Sequence, residues 1–524
     1  MDVGDKMDDI IIEDMDDLIY TKSKEIVKKE NLKKKNINKK RGTKKKKKNK
    51  LKKLNIFLLI VSFIWLILIF LNTFLVVKYD VLPFKYLIIF LFLVVILPIL
   101  LMSFLIRKKV KKGFKIFNLI IGIIYIIILS FSFFYLNKTF TFLDDFTTSY
   151  NYEVKNYAVL VLKSSEYSSI SSLEDKKIGF VKDINDEISK SLTRLEDEIS
   201  FTKEEYQDYE TILTGLDNLE IDAILLGDAY VSMLSEENEE FDSKYKVIYE
   251  FSLKEKVEEI KKEVDVTKDT FNVYISGIDS YGSVSSLTRS DVNIVASINP
   301  KTNEILLVNI PRDYYVSFPG TEMKDKLTHA GIYGIDMSVK AIEELLDIEI
   351  NYYFKVNYAA LVNLVDALGG VDVYSKYAFT SVGTDKNYYY QKGYNYVNGE
   401  KALYFVRTRK AFTDGDRVRG ENQQAMISAI VKKASSPSIL TKYSDILNSL
   451  SGSFATNIGT ENITNLVKMQ LDDMKGWSIT SVSLGGSDAT NYTYTYPYQK
   501  LYVMEPDEKT IVNAKEALKK IKDN

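Results

Sequence analysis

The chain has 524 residues, enough for several domains at roughly 100–200 residues each. It holds no Cys and one His, which excludes disulfides, thiolate nucleophiles and a His-rich zinc site and argues against a Ser-His-Asp triad. The formal net charge of −1 conceals an asymmetry: residues 1–115 carry 27 Lys and Arg against 11 Asp and Glu, so the remainder is acidic and the two parts are expected in different surroundings.

The first 18 residues are strongly acidic and the segment 22–53 is heavily basic, with the run Lys44 to Lys48 inside it. Dense like charge with few aromatics predicts a disordered tail over 1–54. Because the basic run abuts an apolar segment, contact with anionic membrane lipid is the expected role, and no nucleic-acid partner is expected. Three apolar stretches follow, at 56–77, about 87–106 and about 116–136, each long enough to cross a bilayer, which needs about 20 residues. They define a membrane region at 55–136. The segment 22–53 and the loop Arg107 to Lys112 are rich in Lys and Arg, whereas the turn between the first two spans is not. Positive charge stays in the cytoplasm, so the N-terminus is expected inside and everything after Leu136 outside a bacterial cell membrane.

Residues 137–156 read as a linker. A small α/β accessory domain is expected at 157–265, with strands at 158–162, 178–181 and 223–226, a helix at 212–219 and a charged helix at 253–264. The stretches SSISSLEDKKIGFV and LDNLEIDAILLGDAYVSML resemble half of a periplasmic solute-binding domain; a structural spacer or docking domain is the other reading. A second unit runs over 268–524. It opens with a strand at 271–275 and a turn at Gly277. A hairpin follows, with strands at 292–298 and 305–310 around Asn299-Pro-Lys-Thr-Asn-Glu304. Helices are predicted at 337–346, at 361–368 with Gly369-Gly370 as its stop, and at 418–433. Strands mixed with helices indicate a layered α/β fold.

Lys greatly outnumbers Arg, yet Arg recurs beside Asp in this unit: Arg289 with Asp291, Arg312 with Asp313, Arg407 and Arg409, and Arg417 and Arg419 with Asp416. Where Lys is the default cation, Arg at chosen positions suggests its planar fork, which binds pairs of phosphate or carboxylate oxygens. Arg419 and Gln423 share a helix face at i, i+4. Arg407 and Arg409 would share a face if the chain is extended there.

The ordered landmarks ISGIDS, TRSDVNIVASINP, LLVNIPRDYYVSFPG, KLTHAGIYG, LVNLVDALGGVDVYS, GYNYVNGEKALYFVRTRK and DGDRVRGENQQ resemble the LytR–CpsA–Psr family of bacterial cell-envelope phosphotransferases. The three spans with an outer accessory domain resemble its streptococcal capsule-associated branch. The resemblance implies an α/β/α layered catalytic domain with a mixed central sheet. It also implies transfer of an anionic glycopolymer, capsular polysaccharide or teichoic-acid-like, from an undecaprenyl-pyrophosphate carrier to a peptidoglycan hydroxyl, and capsule-synthesis machinery as a further partner. On this resemblance Arg289, Arg312, Arg407, Arg409, Arg419 and Gln423 line the pyrophosphate site, with Arg289 and Arg312 acting in catalysis. Asp279 and Asp291 hold Mg²⁺ (or Mn²⁺), Asp416 is the candidate base and Asp313 orients Arg312. Many members have Arg-Gln where this chain has Asn422-Gln423, so one cation is missing or Arg417 or Arg419 supplies it. His329 in KLTHAGIYG reads as a hydrogen-bonded structural imidazole. The helices 337–346 and 361–368 either form ordinary core or, as in the family, wall a tunnel for the polyprenyl chain. A lipid-pyrophosphate pyrophosphatase and a non-catalytic envelope sensor or regulator are the alternatives.

Overall fold

The computed structural model describes residues 23–24, 26–31, 33–36, 39, 56–106, 111–148, 152–181, 187–256, 262–278, 284–382, 386–436, 446 and 454–524. Most of the expected 1–54 tail lies outside them. The chain divides into two compact units, residues 1–76 with 86–136, and residues 77–85 with 137–524.

Three helices, Ile56–Tyr79, Phe84–Phe104 and Gly113–Asp144, are long and apolar enough to cross a membrane. The second contains a wider π-type turn at Phe92–Ile96, which ends two residues before Pro98, whose missing N–H breaks the regular ladder. Inside the first unit Trp65 donates its indole N–H to the Gly122 carbonyl at 2.9 Å, and Asn72 donates to the Leu129 carbonyl at 3.1 Å. A Cβ at Gly122 would come within 2.7 Å of the Trp65 ring, so the glycine permits this close approach.

In the second unit the described residues of the expected linker are helix and strand instead. Helix runs as far as Thr148 and strand β1, Tyr152–Leu162, starts four residues later. With β2 (Lys176–Val181), β3 (Phe201–Tyr206), β4 (Ala223–Gly227) and β5 (Tyr245–Lys256), β1 forms a five-stranded sheet in the order β3-β2-β4-β1-β5. The predicted helix at 253–264 is not formed over its first four residues, which finish β5; 257–261 lie outside the described residues. Leu253 pairs with Lys155 and Glu255 with Glu153 along β1. Glu255 also meets the Lys155 and Lys190 ammonium groups. Cross-strand partners outweigh the helix propensity of a Lys/Glu run.

The following layer is a six-stranded mixed sheet. Strands β6 (Phe271–Ile278), β7 (Ser290–Asn299) and β8 (Glu304–Ile310) are antiparallel neighbours. Strand Tyr352–Asn357 lies parallel to β6, and Ser478–Ser483 parallel to β8. Phe454–Thr456 closes one edge, antiparallel to Tyr352–Asn357. Gly277 is not a turn: it sits inside β6, where a Cβ would collide with Val292 at 2.6 Å, next to a bulge in the β6–β7 ladder. Period-two alternation sorts the two faces. Tyr274, Val295, Leu306 and Val308 pack on helices Ile335–Leu346 and Glu508–Asp523. Ile294, Ala296, Ile305 and Leu307 face Ile427 and Val431 of helix Gly415–Ala434. The result is the α/β/α layering expected. Helix Tyr358–Ala367 packs in a separate core with Phe405 and Met426. The two helices proposed as tunnel walls thus serve different cores.

The accessory sheet is tied to this domain. The Val154 N–H donates to the Ser285 carbonyl, and the Leu287 N–H donates to the Val154 carbonyl, at 2.9 and 3.0 Å. Tyr496 and Leu501, from the far end of the chain, are buried in the accessory core with Leu226 and Met233.

Candidate active site

The antiparallel register of β7 and β8 assembles the site. Asn293 faces Ile310, so the start of β7 lies beside the end of β8. This brings Arg289, just before β7, and Asp291, inside it, next to Arg312 and Asp313, which follow β8. The third contributor is helix Gly415–Ala434, whose first turns carry Asp416 and Arg419. It approaches closely because Gly420 lies on Asn309, where a Cβ would come within 2.3 Å of the amide.

Arg312 is the hub. It donates from Nη1 to Asp291 Oδ1 at 2.9 Å, from Nε to Asp313 Oδ2 at 3.3 Å, and from Nη2 to Glu236 Oε1 at 2.8 Å. Burial opposes its charge, but Asp313 and Asp291 outweigh burial and hold its pKa above the ordinary arginine value. The expected Asp313–Arg312 contact is therefore present. Arg419 meets Asp416 Oδ1 at 2.9 Å, and Arg409 approaches the same oxygen at 3.7 Å. Arg289 and Arg419 behave unlike Arg312: burial lowers both below the usual guanidinium value, more than nearby Asp291 and Asp416 respectively restore. Cations held in that condition favour an added anion.

Arg289, Arg312, Arg409, Arg419, Asp291 and Asp416 thus converge. Asp279 lies outside the described residues. The extended geometry expected for Arg407 and Arg409 is not found. Asn398 caps helix Gly399–Arg407 through the Lys401 N–H, Arg407 ends that helix, and Arg409 follows in the turn. Arg407 is exposed, with its guanidinium 4.6 Å over the Tyr358 ring. Arg417 pairs with Asp414 at 3.0 Å and Glu421 at 2.8 Å, which commits it to its own helix. Asn422 is buried and donates to the Phe405 carbonyl at 3.2 Å; Gln423 reaches the Val406 carbonyl at 3.5 Å. Where the resemblance implied Arg-Gln, Asn422 and Gln423 here form a helix-to-helix link. His329 is buried, with Nδ1 2.7 Å from Asp325, in a structural setting.

Sequence reasoning missed three charged groups beside the cluster. Glu236 and Glu237 end the accessory helix Asp228–Glu237, and Glu236 contacts both Arg289 and Arg312. Lys326 sits 3.1 Å from Glu237 and 3.8 Å from Asp313. Lys326 lies in the KLTHAGIYG landmark, which was the one available signal. The acidic run Glu236 to Glu240 reads as an ordinary solvated segment.

A sequence profile of the LytR_cpsA_psr family matches residues 232–520. The polyisoprenyl-teichoic acid–peptidoglycan teichoic acid transferase TagT of Bacillus subtilis (strain 168) is 36% identical over 251 residues, which cover 46% of this chain and 76% of that protein. The similarly described TagU of Bacillus cereus (strain AH820) is 35% identical over 209 residues, covering 40% and 68%. Among solved structures, B. subtilis TagV aligns with a TM-score of 0.41 at 28% identity, covering 49% of this chain and 98% of that one. TagT bound to LI-WTA aligns with a TM-score of 0.39 at 30% identity, covering 50% and 94%. The profile match takes in more than half of the chain and contains every arginine of the site, and on that match the chain belongs to the LytR–CpsA–Psr family.

Proposed function

We propose that the chain is a membrane-anchored transferase that moves an anionic glycopolymer from an undecaprenyl-pyrophosphate carrier to peptidoglycan at the outer face of a bacterial membrane. The observation that carries this reading is the convergence of Arg289, Arg312 and Arg419 from three separate elements, with carboxylates interleaved. Such a set suits a ligand with two adjacent phosphoryl groups, because phosphoryl transfer needs positioning and charge neutralisation above all. The relatives' described substrate, a polyisoprenyl-linked teichoic acid, supports it. The peptidoglycan hydroxyl oxygen forms a bond to the polymer-side phosphorus as the bridging P–O bond breaks. Carrier phosphate leaves, and the hydroxyl proton passes to a base, for which Asp416 is our candidate. Arg312 and Arg289 then balance charge on the departing phosphate. The test is transfer of a labelled lipid-linked saccharide to peptidoglycan, with release of free polymer phosphate instead pointing to a pyrophosphatase.

Among the described residues no group of three or more His, Asp or Glu side chains is placed to hold a metal. Mg²⁺ does not require one, since it keeps waters and substrate oxygens and often takes one or two carboxylates. Asp291, of which one oxygen is engaged by Arg312, fits that hard-oxygen chemistry, and with Asp279 would hold the ion. The ion would neutralise charge on the pyrophosphate oxygens. Asp279→Ala and Asp291→Asn should each lower Mg²⁺-dependent transfer at least tenfold without loss of expression; full activity in EDTA would remove the metal from this scheme.

The orientation also has a direct test. Protease added to intact, wall-stripped cells should digest the region after Leu136 and spare residues 1–54. A protected C-terminal region contradicts an extracellular site.

A further inference from the structure

The accessory helix Asp228–Glu237 ends in two acids with different surroundings. The Glu236 carboxylate accepts from Arg289 Nη1 at Oε2 and from Arg312 Nη2 at Oε1, so one carboxylate spans two arginines as two oxygens of a phosphate would. Glu237 instead pairs with Lys326, whose side chain is 7% exposed. The Glu236 side chain is 38% exposed, so it can turn away about its own torsions while the helix stays. The helix is held by the Glu237–Lys326 pair, by the Tyr230 and Tyr333 hydroxyls at 3.3 Å, and by Tyr496 and Leu501 packed in the accessory core.

We propose that Glu236 is an intramolecular competitor for the phosphoryl site: it holds Arg289 and Arg312 in the resting enzyme, yields them to the pyrophosphate, and reclaims them as carrier phosphate leaves. The inference rests on the reading of this site as the pyrophosphate site. A partly buried guanidinium such as that of Arg289 needs a counter-ion when no ligand is bound, and the carboxylate that supplies it also takes Nη2 of Arg312. A carboxylate on an adjoining helix is present at an effective concentration of at least about millimolar. It therefore weakens each phosphoryl ligand by the same factor, substrate and product alike. Free phosphate is kept off the site and product departs faster. Arg419 and Arg409 pair with Asp416 rather than with Glu236, so Glu236 does not compete for them.

The experiment is calorimetric titration of the detergent-solubilised full chain with inorganic pyrophosphate in Mg²⁺. Glu236→Gln and Glu236→Ala should both bind at least tenfold more tightly than wild type; the alanine is included because the amide oxygen of Gln can still accept from arginine. Arg312→Ala should bind at least tenfold more weakly. If both Glu236 variants bind at wild-type affinity or weaker while Arg312→Ala loses binding, the competitor is wrong and the pyrophosphate site stands. If no form binds, or Arg312→Ala binds as wild type does, both readings fall.

Discussion

Arg312→Lys should lower glycopolymer transfer at least tenfold and up to about a hundredfold, about 1.4–2.8 kcal/mol of barrier. Arg312 uses Nε, Nη1 and Nη2 on three different carboxylates. A lysine has one nitrogen and cannot hold that arrangement while also facing a phosphate. Arg289→Lys and Arg419→Lys should each lose about tenfold, because each is a partly desolvated cation in the same cluster. Arg409→Lys should follow, Gln423→Ala should cost less, and Arg407→Lys should cost least of the arginine set because Arg407 stacks on Tyr358. Lys410 is exposed and serves as the control. Lysine keeps the positive charge that balances the neighbouring carboxylates, so thermal stability should change far less than transfer does in the lysine variants. If all of them transfer at the wild-type rate, the arginines are structural and a regulatory role gains.

Asp325→Ala should be the most destabilising single change near the site, by about 3–5 kcal/mol. Asp325 is fully buried. It accepts from the Lys326 N–H at 2.6 Å, His329 Nδ1 at 2.7 Å, the Thr495 N–H at 2.7 Å, and the Thr495 hydroxyl. It thereby joins the segment after β8 to the 492–501 segment that enters the accessory core. Removing the carboxylate orphans several buried donors at once. For a unit of this size, Tm of the solubilised chain should fall by roughly 6–20 °C. His329→Ala removes one of those donors and should cost less, about 1–3 kcal/mol. A Tm shift under about 2 °C for Asp325→Ala contradicts this account.

The amino-acid sequence by itself determined the three apolar spans and the strands β7 and β8, because a continuous apolar run reports directly which segment leaves water. It also pointed to the arginine–aspartate pairs, because Arg is chosen over Lys where the fork matters. What it left open follows one physical rule. Leu253 to Lys256 carries a helix-favouring charge pattern, and only its pairing with Glu153 and Lys155 made it strand. Gly277 looks like a turn, yet it is a strand residue chosen for the close approach of Val292. Arg407 and Arg409 diverge because the Asn398 cap sets the helix phase that ends at Arg407. Glu236 lies 53 residues from Arg289 and 76 from Arg312. No local period encodes such a contact, since it exists only once β1 is hydrogen-bonded to the 285–287 segment and Tyr496 is packed into the accessory core. Burial patterns are local and legible in sequence, whereas a charge pair between two docked domains depends on how the domains meet, which tertiary packing alone decides.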